Sequence, residues 1–368
     1  MSVEILLDRR RFLGVAAEVA LLAGTQLVFG RPARAAVSLD TTRKQLRSII
    51  VERALIVDDP WVLMHAVLPL GREARHGDER VLDLVMRSWM EPVRRGEERY
   101  AAFPLGVEAH PNHFLEIMYA VAVPADRAFA SPLGTTTRAQ LYAGARALFS
   151  PAIAGSELSW TVSVFSAQMP PDEDSFSNAD GRTFRVSAIV EAAAQAAEQG
   201  YAETLAAMRG EKPYGRSALQ QFPCNGTHAV QGVLEAVVHG YHGRELRARV
   251  QKLLLASVYR LTAETALIDT HLGGAGNPLA ALNADAAKLQ IIGHTLGNLA
   301  TARRHGIYTP TAAGERAIAA AHGELAAISG RLVDEHDLDQ LGHQVPRAYA
   351  VLLGDVCHAL HAIDASDG

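Results

Sequence analysis

The 368-residue sequence predicts an all-α protein, and three observations carry that expectation. Apolar residues recur at spacings of three and four through most of the chain, runs of strictly alternating apolar residues are scarce, and Ala, Leu, Arg and Glu dominate between short Gly, Pro and Asn breaks. Eleven or twelve helices joined by short connections suggest helical hairpins arranged as an α/α toroid or, as second choice, an irregular helical bundle. No repeat of fixed period with a recurring signature is present, so the common solenoids are not expected.

Taken in order, the helical spacing places helices over 41–57, 61–75, 78–90, 113–122, 135–149, 185–208, 228–241, 244–268, 283–303, 312–332 and 346–363. The breaks between them fall at Asp59-Pro60, Pro104 to Pro111, Ser131-Pro132, Pro170-Pro171, Lys212-Pro213, Gly273 to Pro278 and Tyr308-Thr309-Pro310, where proline removes a backbone donor and fixes φ. The segment 152–168 is ambiguous, since Trp160-Thr161-Val162-Ser163-Val164 alternates like a strand. Residues 170–180, with their acids and serines, read as an exposed loop, so 36–368 is expected to be a single domain.

The stretch before that domain is different in kind. Asp8-Arg9-Arg10-Arg11-Phe12-Leu13-Gly14 opens a weakly apolar run, Phe12 to Gly30, that ends in Ala33-Arg34-Ala35. It resembles a bacterial twin-arginine signal peptide, which implies export of an already folded protein by the twin-arginine translocase and a mature chain starting near Ala36, in the periplasm or outside the cell. A membrane anchor is disfavoured by Glu18, because a carboxylate at the centre of a spanning helix costs roughly 2.5 to 3.5 kcal/mol. Arg31 and Arg34 on the far side oppose an anchor as well.

Composition narrows the partners. The chain carries a formal charge of −5; the signal-like segment holds five of its 35 basic and three of its 40 acidic residues, which leaves the remaining 333 at −7. No concentrated basic face stands out, so nucleic acid is not an expected partner. No second apolar run reaches the roughly 18 residues that a membrane span requires. Two cysteines, Cys224 and Cys357, are compatible with one bridge, a shared metal, or two unrelated buried thiols.

Two helices carry unusual polar faces. Over 228–241, Val230, Val233, Leu234, Val237 and Tyr241 form an apolar face, while His228, Gln231, Glu235, His239 and His242 follow one another at helical spacing on another. Over 283–303, Leu289, Ile292, Leu296 and Leu299 form a core stripe beside Gln290, His294, Asn298 and Thr301. Solvated faces are usually built from Lys and Glu, whereas amides and imidazoles suit a wet internal cleft. The two polar faces are therefore expected to meet at a shared cavity.

Three constellations carry candidate chemistry. In Pro223-Cys224-Asn225-Gly226-Thr227-His228, a turn and cap bring a thiol and an imidazole four residues apart. In Asp355-Val356-Cys357-His358-Ala359-Leu360-His361, three soft or borderline donors fall within five residues of one helix. Zinc takes thiolate and imidazole in a tetrahedral set, which makes Cys224, His228, Cys357 and His358 the candidate metal ligands and zinc the candidate ion. This set, in an all-helical ring, resembles the lanthionine-cyclase zinc site, and Asp-x-Cys is similar to part of the protein prenyltransferase site; both resemblances cover a few residues and imply a zinc-dependent toroid enzyme.

The third constellation is Glu108-Ala109-His110-Pro111-Asn112-His113-Phe114-Leu115-Glu116. Asn112-His113 resembles toroidal polysaccharide lyases of the alginate-lyase type. The resemblance implies that the Asn112 amide neutralises a uronate carboxylate and that His113 removes the adjacent proton, with His228 and His294 lining the cleft and a tyrosine among Tyr119, Tyr142, Tyr214 and Tyr308 as acid. As plain residues, Asn112 is a helix cap, and His110, His113 and Glu116 form a weak metal set. His65, on an apolar helix, reads as a hydrogen-bonded core residue. Gly273-Gly274-Ala275-Gly276 lacks the context of a dinucleotide loop, and Gly-x-Ser-x-Gly, Cys-x-x-Cys-His and His-Glu-x-x-His are not found. The expectation from sequence is an exported all-helical protein with a polar central cleft, a lyase or hydrolase acting on envelope or extracellular polymer. The alternatives are a non-catalytic periplasmic binding or scaffold protein, whose ligand is a polymer or small molecule, and the zinc-dependent toroid enzyme.

Overall fold

A computed structural model describes residues 38–215, 218–272 and 278–366. The signal-like segment with its cleavage position and the glycines in the stretch Gly273 to Gly276 lie outside the described residues. The chain is mostly helical (69%) with several small two-strand hairpins.

The first helix among the described residues, α1 (Leu39–Ile49), is capped by Ser38 and runs on as a single π turn over Ile50–Ala54. Asp59 starts α2 (Pro60–Leu70) by accepting from the amides of Trp61 and Val62, and Pro60 sits where the missing N–H is harmless. Then come β1 (Arg75–His76), β2 (Glu79–Arg80), α3 (Val81–Trp89), β3 (Glu91–Arg95), β4 (Glu98–Ala102) and the single-turn α4 (Leu105–Glu108). They are followed by α5 (His113–Ala120), β5 (Ala128–Ser131), β6 (Gly134–Thr137) and α6 (Arg138–Ala147), the last opened by a reciprocal cap between Thr137 and Gln140.

The ambiguous segment is a helix, α7 (Ser159–Gln168), buried along nearly all its length. Burial on every side removes the polar face that would give a helical period, so alternation there is not a strand signal. Beyond it lie β7 (Ser175–Ser177), β8 (Thr183–Arg185), α8 (Val186–Gly200) and α9 (Ala202–Met208), then α10 (Thr227–Val238), α11 (Leu246–Leu272) and α12 (Pro278–Arg304). The chain closes with α13 (Ala312–Asp334), α14 (Leu338–Gln344) and α15 (Pro346–Ser366).

Three corrections to the sequence reading follow. Each strand pairs antiparallel with its neighbour in sequence, giving four hairpins that an all-α expectation omits, and α14 was not expected. The expected helix over 185–208 is also interrupted at Tyr201. The core is continuous and predominantly aliphatic, with Trp160 its largest fully buried apolar side chain. Helix α15 packs along α12 and also against α2, α1 and α14, while α10 packs against α7 and α8. Among the described residues no helix is long and apolar enough to cross a membrane.

Candidate metal centre

Six helices and two turns deliver imidazole, indole and thiol groups to one place inside the protein. His65 comes from α2, His113 from the first position of α5, His228 from α10, His294 from α12 and His358 from α15. The turn before α5 adds His110, α7 adds Trp160, and the turn Pro223–Gly226 adds Cys224. His65, His113, His228 and His294 are only 2 to 5% exposed.

The rings are in mutual contact. His228 lies 4.5 Å from His294 and 5.5 Å from His358, His294 lies 3.8 Å from His358, and His65 lies 4.8 Å from His113 and 5.2 Å from His358, measured between ring centres. Trp160 is stacked flat on His110 at 4.1 Å and also meets His113 and His228, and Trp61 covers His65 at 3.8 Å. With metal–nitrogen bonds of about 2.0 Å, two imidazoles that share an ion have ring centres about 5 Å apart. Donor atoms of Cys224, His228 and His294 lie within 4.8 Å of one another, the single such group among the described residues.

The hydrogen bonds fix which ring nitrogen is left for a ligand. His65 Nδ1 donates to the Trp61 carbonyl (2.7 Å), His113 Nδ1 to the Glu108 carbonyl (3.3 Å) and His228 Nδ1 to Gln231 Oε1 (2.9 Å). Each Nε2 is thereby the basic nitrogen, the pattern seen when a second partner orients a metal-binding histidine. Gln231 Nε2 in turn donates to Glu116 Oε1 (3.0 Å). The Nε2 atoms of His294 and His358 and the Trp160 Nε1 are buried without a hydrogen-bond partner. Asp355 Oδ1 is 3.6 Å from His294 Nε2, too long for a hydrogen bond, while its other oxygen takes a long contact (3.4 Å) from Gln290.

Electrostatics keep five of the imidazoles neutral. Burial holds His65 down to about 4 and His228 to about 3, and burial together with neighbouring imidazoles pushes His113, His294 and His358 well below the ordinary histidine range. Neutral imidazoles are the form that binds metal. Burial also raises the Cys224 thiol and the Asp355 carboxyl well above their usual values. Glu116 is raised to about 8 and Glu235 to about 7, again chiefly by burial.

The turn that presents Cys224 is strained. Cys224 and Asn225 take φ of 45° and 51°, a left-handed conformation that side chains rarely adopt, and Gly226 follows at 81°. Thr227 Oγ1 donates to the Cys224 carbonyl (2.9 Å) and Asn225 Nδ2 to Gln290 Oε1 (2.8 Å), which tie the turn to α10 and α12.

The two polar stripes do meet, since His228 touches His294 and Asn298 Nδ2 donates to the Thr227 carbonyl (3.0 Å). Of the four residues expected as ligands, Cys224, His228 and His358 are brought together. Cys357 is not, because one residue along a helix turns a side chain by about 100°; it packs in the aliphatic core, and both cysteines are free thiols. Asn112 lies beside the group, but its amide donates to Thr161 Oγ1 (2.8 Å), and it precedes α5 in a left-handed conformation without capping it. Tyr214 donates to Glu264, Tyr119 and Tyr142 lie under arginines, and Tyr308 is in the core. His65 makes the expected hydrogen bond yet also belongs to the cluster; together with Trp61 and Trp160 it was invisible as a site residue because an apolar helix surrounds it. No family model, curated protein or solved structure matches this chain.

Proposed function

We propose that the protein is a metal-dependent enzyme whose centre is held by Cys224, His228 and His294 and whose substrate is a small molecule. The observation that carries the proposal is the convergence of three donors of the right kind within 4.8 Å, beside a histidine, His358, whose Nε2 is buried and unpaired. Mixed thiolate and imidazole donors select a borderline to soft ion such as zinc or copper. Three protein ligands leave a coordination position for water or substrate, as catalytic centres do and closed structural sites do not. His358, neutral and adjacent to His294, is placed to take a proton there.

A polymer-cleaving reading of Asn112 and His113 draws less from the geometry, because His113 is 2% exposed and the Asn112 amide is already engaged. Of the two helical arrangements, we favour the toroid over the irregular bundle, since the helices that carry the cluster, α2, α5, α7, α10, α12 and α15, each pack against the next and α15 packs back against α2. On residues 8–35 alone, we read the protein as exported folded, with its ion loaded beforehand.

Titration of metal-free protein with cobalt(II) tests the centre. A thiolate-to-cobalt charge-transfer band at one equivalent is expected, lost in Cys224→Ser and weakened in His294→Ala. No band in the wild-type protein, or the same band in both variants, would sink the proposal.

A further inference from the structure

Away from the histidine group, α6 places Arg138, Tyr142 and Arg146 at intervals of four, on one face, with Tyr119 of α5 alongside. Arg138 is 8% exposed, and its guanidinium lies over the Tyr119 ring at 3.9 Å. The Arg146 guanidinium lies over the Tyr142 ring at 5.0 Å. The Arg138 Nε and Nη1, the Arg146 Nε and the Tyr142 hydroxyl are all buried without a hydrogen-bond partner. The charged neighbours acting on the two phenols are these arginines, with no carboxylate among them.

A guanidinium cannot escape burial by losing its proton. Leaving one in the interior unpaired is expensive, and an aromatic face beneath it offsets only part of that. Stacking on tyrosine occupies the flat face of each guanidinium; Arg138 shares one hydrogen bond with the Tyr119 phenol, and the N–H groups left over on both arginines form the edge that grips an oxyanion through paired hydrogen bonds. We infer that this face of α6 is a binding site for an oxyanion, the carboxylate or phosphate group of a small ligand, held by Arg138 and Arg146 with the Tyr142 hydroxyl as a further donor. The site is independent of the metal centre, and nothing in its argument rests on bound metal.

The test is thermal unfolding of the full chain in sodium phosphate or sodium acetate, each compared with sodium chloride at equal ionic strength. One of the two is expected to raise Tm by about 2 °C or more at about 10 mM beyond chloride, and the one that does so assigns the ligand as phosphoryl or carboxylate. Arg138→Met is expected to abolish that rise while leaving Tm in chloride unchanged or higher, because an unpaired buried charge is removed. If Arg138→Met does not fold, Arg146→Gln and Tyr142→Phe serve, with the response lost in the first and reduced in the second. No response beyond chloride in the wild-type protein, or a response that survives Arg138→Met or Arg146→Gln, overturns the inference.

Discussion

Cys224 and Cys357 have the same chemistry and opposite surroundings. Cys224 sits on a strained turn with two imidazoles in reach, whereas Cys357 is enclosed by aliphatic side chains. Cys224→Ser should therefore lower metal affinity by more than about tenfold with little change in metal-free stability. Cys357→Ser should leave affinity alone and cost about 1 to 3 kcal/mol, since it puts a hydroxyl into an apolar site. Isothermal calorimetry with urea unfolding of both variants reads the contrast, and equal affinity losses would return Cys357 to the ligand set. Gln231 acts one step further out, by holding the His228 Nδ1–H. Gln231→Leu is expected to weaken metal binding about tenfold and to free the His228 tautomer, which nitrogen NMR of the ring detects. An unchanged tautomer with weaker binding would assign Gln231 a packing role instead.

At the scale of elements, the site depends on helices that approach closely. A Cβ built on Gly232 of α10 would lie 2.6 Å from the Ser159 carbonyl oxygen and 2.7 Å from its Cα, backbone atoms of α7 that have no room to give. Gly232→Ala should force α10 away from α7, costing about 1 to 3 kcal/mol and loosening the contact between His228 and Trp160. Urea unfolding with tryptophan fluorescence measures both effects, and full stability would mean that the two helices have room to separate. Helices α12 and α13 are joined differently. Asp285 accepts both branches of Arg331 (2.6 and 2.8 Å) and His336 Nε2 (2.9 Å), and Lys288 reaches Glu324 at 2.9 Å. Asp285→Asn should cost about 2 kcal/mol, because the half-buried Arg331 guanidinium loses its bidentate partner and keeps Glu324, at 3.5 Å; a loss under about 0.5 kcal/mol in chemical unfolding would show the pair to be solvent-screened.

For the whole molecule, the buried groups set the dependence of stability on pH. His65 and His228 titrate near 4 and 3 in the folded protein and near 6.5 when unfolded, and His113, His294 and His358 are lowered as well. As pH falls below 6.5 the unfolded chain takes up protons that the folded protein refuses, so these groups lose stability on acidification. Glu108 and Glu116, raised to about 8, and Glu235, raised to about 7, act in the other direction. They stay protonated in the folded protein while the unfolded chain releases its protons near 4.5, so their contribution is lost as pH rises to 8. Between 4.5 and 6.5 the two sets oppose each other; above that window only the carboxyls act, and below it only the imidazoles. Metal-free protein should be most stable at mildly acidic pH, weaken gradually toward pH 8 and fall steeply below about 4.5. Chemical unfolding across that range reads the profile, and a stability that holds or rises below pH 4.5 would contradict neutral buried histidines.

The sequence by itself determined the helical character, because apolar periodicity and proline breaks are local properties, and it marked His228 and His294 because their polar faces are built from imidazoles and amides without the lysine of solvated helices. It also marked the Cys224 turn, through Gly226 and the nearby histidine. The hairpins were not legible: with strands of two to five residues, alternation has no length in which to register, and the turn at Gly96, φ 59°, was the available sign of the longest pair. His65, Trp61 and Trp160 were hidden for a different reason. An imidazole on an apolar helix looks alike whether it faces a carbonyl alone or other imidazoles as well, and only the crossing of α2, α5, α7, α10, α12 and α15 decides which. The separation of Cys357 from Cys224 is likewise tertiary, since neighbours on a helix point to different places and spacing in sequence does not say which of them turns inward.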